Sequence, residues 1–218
     1  MVDYRNQAEI FDPTTWGYPL HVVGMGSIGS AVLLGAIGMG VGEIHTHDGD
    51  RLEDHNPPSQ VIYRHRSDMG RLKVEAAANF AAWLETSSTV VVHPIMVTAD
   101  TRFEGVVVCG PDLMTSRRAI WEAVKNSDDV PLFMDGRIGG QKHTLLTVEP
   151  DDPEQRKLYE TWLFDDSAAQ ELPCGARSFT GTSLALAADV LQNLALYSQG
   201  KRPKFRIQRN LATNEMPR

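Results

Sequence analysis

Short apolar blocks alternate along the chain with longer stretches whose apolar positions recur every third or fourth residue, as strands alternating with helices would. Residues 20–23 read as a short buried strand. They run straight into Gly24-Met25-Gly26-Ser27-Ile28-Gly29, and residues 30–38 are small and apolar enough for a helix packed on a sheet. A second strand over 43–47 ends on Asp48-Gly49-Asp50. Residues 51–66 carry no period, and Asn56-Pro57-Pro58 bars a continuous helix there. Over 67–85, Leu72, Ala76, Phe80 and Leu84 fall four apart, the stripe of a helix lying on a sheet. Residues 89–92 are β-branched, and 103–109 form a buried strand closed by Gly110-Pro111-Asp112. A helix follows from Thr115 or Ser116 to about Lys125, then a strand over 130–134 ending on Asp135-Gly136.

The rhythm changes after Gly140. Residues 142–148 alternate polar and apolar, as an antiparallel strand with one exposed face would. Residues 149–175 are largely acidic and turn-rich and read as a crossing loop. An apolar helix over 179–196 and a short strand over 204–207 close the chain. The pattern predicts an α/β fold: a Rossmann-like, mostly parallel, doubly wound sheet with a C-terminal antiparallel extension. Residues 1–218 make a single domain in this reading, with an N-terminal arm over 1–18 and a polar tail over 208–218.

Composition narrows the function classes. A formal net charge of −7 argues against a general nucleic-acid binder. Two cysteines, Cys109 and Cys174, supply neither a disulfide framework nor a structural zinc site. No stretch is apolar enough to span a bilayer or serve as a leader, so a cytoplasmic protein with no membrane contact is expected. His47, His55 and His65 tempt a metal reading, but their spacing matches no ligand motif.

The strand–glycine loop–helix–strand unit carries the chemistry. G-x-G-x-x-G in that setting allows a tight turn, backbone approach to a ligand, and close helix–strand packing. The helix N-terminus adds a positive dipole end. Asp48, 24 residues past Gly24, suits ribose hydroxyls of either NAD or ATP. Asp112 ends a neighbouring strand, and a carboxylate beside polyphosphate calls for an intervening cation such as Mg²⁺. Lys73, near a helix start, is a surface lysine as far as spacing goes. Cys174 precedes a helix, whose N-terminus would favour thiolate.

In order and at compatible spacing, about residues 20–198 resemble the ThiF/MoeB/HesA superfamily of adenylating proteins related to ubiquitin-activating enzymes. The resemblance rests on the glycine loop, Asp48-Gly49-Asp50, Asn56 with Gln60, and Asp68-Met69-Gly70 with Lys73. Cys109-Gly110-Pro111-Asp112 with Arg117, Asp135-Gly136-Arg137 and Cys174-Gly175 add to it. It implies an ATP-dependent adenylyltransferase that activates the C-terminal glycine carboxylate of a ubiquitin-like or sulfur-carrier protein and releases pyrophosphate, working as a homodimer. Gly24, Gly26, Ser27, Ile28, Gly29 and Asp48 would then hold adenosine and ribose. Asp50, Asn56, Gln60 and Lys73 would surround the phosphates, and Asp112 would bind Mg²⁺. Cys174 would form a covalent link to the carrier, and Arg5 would reach into the partner subunit's site. The chain departs from the family in carrying Ser59 where an arginine stands and in lacking the zinc-binding C-x-x-C pairs. An NAD-dependent oxidoreductase would use the same loop and Asp48 but leaves Asn56, Gln60, Lys73 and Asp112 without a role. A catalytically silent member that only binds a partner is favoured by Ser59 and opposed by Asp112 and Lys73.

Overall fold

The computed structural model describes residues 2–63, 65–84, 86–168 and 178–213. Strands form where β-branched and apolar residues run together: β1 (Leu20–Val23), β2 (Glu43–His47), β3 (Thr89–His93), β4 (Val106–Cys109), β5 (Phe133–Gly139), β6 (Lys142–Val148) and β7 (Arg206–Asn210). They make one sheet in the order β3-β2-β1-β4-β5-β6-β7. The first five are mutually parallel, while β6 runs antiparallel to β5 and β7 antiparallel to β6.

Period-two alternation sends neighbouring residues of each strand into different layers. Val106 and Val108 enter one core, with α1 (Ser27–Met39), α2 (Lys73–Trp83) and α5 (Thr180–Ser198). Val107 and Cys109 enter the other, with α3 (Met114–Lys125) and α4 (Pro153–Glu160). On that second face β1, β2 and β3 present histidines: His21, His45, His47 and His93. Phe103, from the connection between β3 and β4, packs edge-on against His21 and His47. His21 Nδ1 lies 2.9 Å from His47 Nε2, and His45 Nδ1 lies 2.9 Å from His93 Nε2. The His47 and His93 rings stack with centroids 4.3 Å apart. Glu43 Oε1 meets the outer end of this ladder, 2.8 Å from His45 Nε2.

The mostly parallel sheet and its antiparallel C-terminal strands follow the pattern, with differences in extent, among them β7, which runs over Arg206–Asn210 and so takes in the start of the expected tail. The helix expected over 67–85 begins only at Lys73, because the Asp68-Met69-Gly70 turn, with Gly70 at φ 81°, precedes it. β4 begins at Val106, since Gly105 bends the chain at φ 81°. β5 runs on to Gly139 as the antiparallel partner of β6. The stretch expected to be a loop from 149 holds α4: Asp152 caps it by accepting from the backbone N–H groups of Glu154 and Gln155, and Pro153 supplies a helical φ at the first position. Among the described residues no helix is long and apolar enough to cross a membrane.

Candidate nucleotide site

The site lies beyond the carboxyl ends of β1, β2 and β4, where the strand order turns outward from β1 on both sides. Gly24 leaves β1 at φ +85°, and a Cβ there would stand 2.9 Å from Pro111 N. The first glycine is therefore required both by conformation and by the closeness of the β4 end. A Cβ on Gly29 would overlap the Gly24 carbonyl oxygen, so the third glycine lets α1 press against the turn. A Cβ on Gly26 would meet nothing within 4 Å. That side of the loop is open. α1 starts at Ser27 with no side-chain cap and no acidic residue in its first turn, which leaves backbone N–H groups directed outward for an anion. Ile28 fills the space beneath, against the places where Gly110 and Gly136 lack side chains.

The loop's shape yields a prediction. Gly29→Ala drives a methyl into backbone and should cost about 3 kcal/mol, the upper part of the usual overpacking range. Gly26→Ala adds a methyl in open space at a helix cap and should cost about 1 kcal/mol or less. Denaturant unfolding of the two variants measures the difference, and equal costs would contradict this loop geometry.

Asp48 is locked into the site by two backbone donors: Met25 N–H gives to its Oδ2 at 2.7 Å and Asp50 N–H to its Oδ1 at 2.7 Å. Burial pushes its carboxyl above the usual range, against these donors and the Lys73 charge. Lys73 is 8 % exposed, far from the surface lysine that spacing suggests. Its Nζ gives to Asp50 Oδ2 at 2.9 Å and its N–H to the Asp50 carbonyl at 2.9 Å. Asn56 Oδ1 accepts from Glu53 N–H at 2.9 Å, and the Asn56 carbonyl accepts from Gln60 N–H at 3.1 Å, so these two residues brace one turn. Gln60 Oε1 is buried and accepts no hydrogen bond among the described residues.

Ser59, where the family arginine stands, spends its hydroxyl on the Asn56 carbonyl at 3.3 Å. Asp112 is exposed just past β4, beside Pro111 and the glycine turn. Among the described residues no group of three or more His, Cys, Asp or Glu could hold a metal ion. A single exposed carboxylate does fit Mg²⁺ that is bound chiefly through substrate phosphates.

The side chains of Arg5, Asp135 and Cys109 lie away from the glycine loop. Arg5 is exposed and pairs with Asp3; its neighbour Tyr4 lies against Gly40, at the end of α1 away from the glycine loop. Asp135, at the end of the strand expected over 130–134, is fully buried in the α3/α4 layer. Its carboxylate accepts from Arg117, from Arg137 Nη2 at 2.6 Å and from Tyr159 Oη at 3.0 Å. Cys174 lies outside the described residues. Cys109 is core, and burial raises its thiol far above the ordinary value.

Sequence reasoning passed over Tyr63. It is completely buried, and its hydroxyl donates toward the Met25 carbonyl at 3.0 Å and the Lys73 carbonyl at 3.1 Å. No period marks residues 51–66, so the only signal was an aromatic three residues after Gln60.

Comparison with known proteins follows the same outline. The sequence profile of the ThiF family matches residues 19–217. The adenylyltransferase and sulfurtransferase UBA4 of Meyerozyma guilliermondii is 32% identical over 83 residues, 38% of this chain and 19% of that protein. Its counterpart from Emericella nidulans is 36% identical over 77 residues, 35% and 16% of the two chains. The matches thus span about a fifth or less of these relatives' length. Among solved structures, PaaA superposes with a TM-score of 0.73 at 16% identity, over 99% of this chain and 68% of that one. E. coli MccB solved with ATP gives 0.72 at 14% identity, over 97% and 66%. At such identities the likeness speaks for the fold alone.

Proposed function

The chain belongs to the ThiF family, and from that premise we propose that it adenylates the C-terminal carboxylate of a ubiquitin-like or sulfur-carrier protein, using ATP and releasing pyrophosphate. The observation that carries the reading is the joining of the glycine loop, Asp48 and the buried Lys73, paired with the exposed Asp50, at one crevice. Relatives named adenylyltransferase and sulfurtransferase support it, as does a structural neighbour solved with both a nucleotide analogue and MccA.

In this reading ATP lies with its adenosine on the glycine loop and its ribose by Asp48. The open N–H groups of α1 and the Lys73 ammonium face the phosphates, where they offset negative charge that builds during the reaction. The carrier's carboxylate oxygen attacks the α-phosphorus; the bond to the bridging oxygen breaks, and pyrophosphate leaves with that electron pair. Mg²⁺, when bound, would be held by Asp112 and would supply positive charge between two anionic reactants. Fixed placement of both reactants supplies much of the remaining acceleration. A homodimer, with Arg5 turned toward the partner's crevice, belongs to the same proposal, and so does attack by the Cys174 thiolate on the acyl-adenylate carbonyl, which forms a thioester as the acyl–phosphate bond breaks and AMP leaves.

The test is ATP–pyrophosphate exchange with candidate carrier proteins, alongside thermal unfolding with nucleotides. ATP with Mg²⁺ at roughly 100 times its Kd should stabilise the fold by about 2.7 kcal/mol, and NAD should stabilise it much less. Stabilisation by NAD that matches or exceeds that by ATP would favour the oxidoreductase reading. ATP binding without exchange by any carrier would favour a silent, partner-binding member.

A further inference from the structure

Three separate segments build the crevice: the glycine loop, the turn carrying Asn56 and Gln60, and the start of α2. One residue ties all three together, through its backbone at the turn and its side chain at the other two. Tyr63 donates its backbone N–H to the Gln60 carbonyl at 3.3 Å. Its hydroxyl faces the Met25 carbonyl on one side and the Lys73 carbonyl on the other, at 3.0 and 3.1 Å. A phenol has one proton, so the two carbonyls share a single donor and both draw toward it. The next bonds outward are the ones that aim functional groups. Met25 N–H is fixed on Asp48 Oδ2 at 2.7 Å, and Lys73 Nζ on Asp50 Oδ2 at 2.9 Å.

We propose that Tyr63 is a positioning residue: its hydroxyl sets the separation between the glycine loop and the Lys73 ammonium so that both meet one nucleotide. The inference rests on the nucleotide reading above. The chemistry requires a group that stays a donor, and burial holds this phenol protonated far above its ordinary value. Without the hydroxyl, two buried carbonyls lose their shared donor and no longer pull the loop and α2 together. A hydrophobic contact alone would fill the space but fix neither carbonyl.

Tyr63→Phe keeps the ring and removes only the tie. ATP affinity, measured by calorimetry, should fall about tenfold, the size of one lost buried hydrogen bond acting through two partners. Tyr159→Phe is the matched control, because Tyr159 is equally buried and its hydroxyl bonds Asp135 in the other layer. It should lower the melting temperature comparably and leave ATP affinity unchanged. In a Lys73→Ala background, Tyr63→Phe should cost clearly less than it does alone, because coupled residues do not add.

An unchanged ATP affinity in Tyr63→Phe overturns the proposal, provided the wild type binds ATP. So does an equal loss in Tyr159→Phe, or a full loss that persists beside Lys73→Ala, since each marks general support of the fold. Failure of the wild type itself to bind ATP overturns the nucleotide reading and this inference with it. Circular dichroism confirms that each variant is folded before it is compared.

Discussion

Asp112→Ala is expected to lower ATP–pyrophosphate exchange by about 10²–10³-fold, the scale of removing one preorganised group that stabilises transition-state charge. ATP affinity should fall much less, because the lost interaction belongs mainly to the transition state. The other carboxylates near the crevice are already committed. Both oxygens of Asp48 hold backbone N–H groups, and Asp50 holds Lys73. Asp112 is left facing outward at the end of β4. Measured exchange in the variant within a few-fold of wild type removes Asp112 from the reaction.

Mild acid should destabilise the fold well before its carboxylates titrate. Burial, reinforced by neighbouring imidazoles, depresses His21 to about 4 and His47 to about 3, and His93 in the same direction. An unfolded histidine titrates near about 6.5. Below that pH the unfolded chain takes up protons that the ladder refuses, so the stability present at neutral pH is lost as pH falls from about 6.5 toward the folded values. For His21 and His47 together this is on the order of 2–5 kcal/mol by about pH 4.5. Geometry points the same way, since an imidazole pair 2.9 Å apart has room for one proton between its nitrogens. Asp48, whose carboxyl is raised, opposes the trend with a single group. Denaturant melts at about pH 7.5, 6 and 5 measure the slope, which should flatten in His21→Phe/His47→Phe. A wild-type slope of zero over that range would falsify the acid lability of the ladder.

The ladder also shows what sequence could and could not supply. His45 and His47 stand two apart in a strand, which places them on one face without any structure. That β1 and β3 add His21 and His93 beside them depends on strand order and register, which no local pattern encodes. His55 and His65, which shared the metal question, lie outside this group. The glycine loop was legible because its spacing, strand and helix lie in one contiguous stretch, although Gly24 also answers to the distant β4 end. Lys73 and Asp112 could be named through resemblance, yet the depth of Lys73 comes from Asp50 and Tyr63, residues distant along an aperiodic stretch. α4 was hidden by acidic composition, although Asp152-Pro153 spells a capped start. β5 was read too short because it does not stop where its parallel pairing with β4 stops.

That last feature has an effect on approach to the site. β5 pairs with β4 only as far as Asp135, opposite Cys109, and then continues to Gly139 against β6. Four further residues of strand project roughly 13 Å past the rim of the parallel sheet. The hairpin stands there as a parapet on one flank of the crevice. A ligand stretched along the rim from β2 past β4 would run into it, whereas one gathered over β1 and β2 would not.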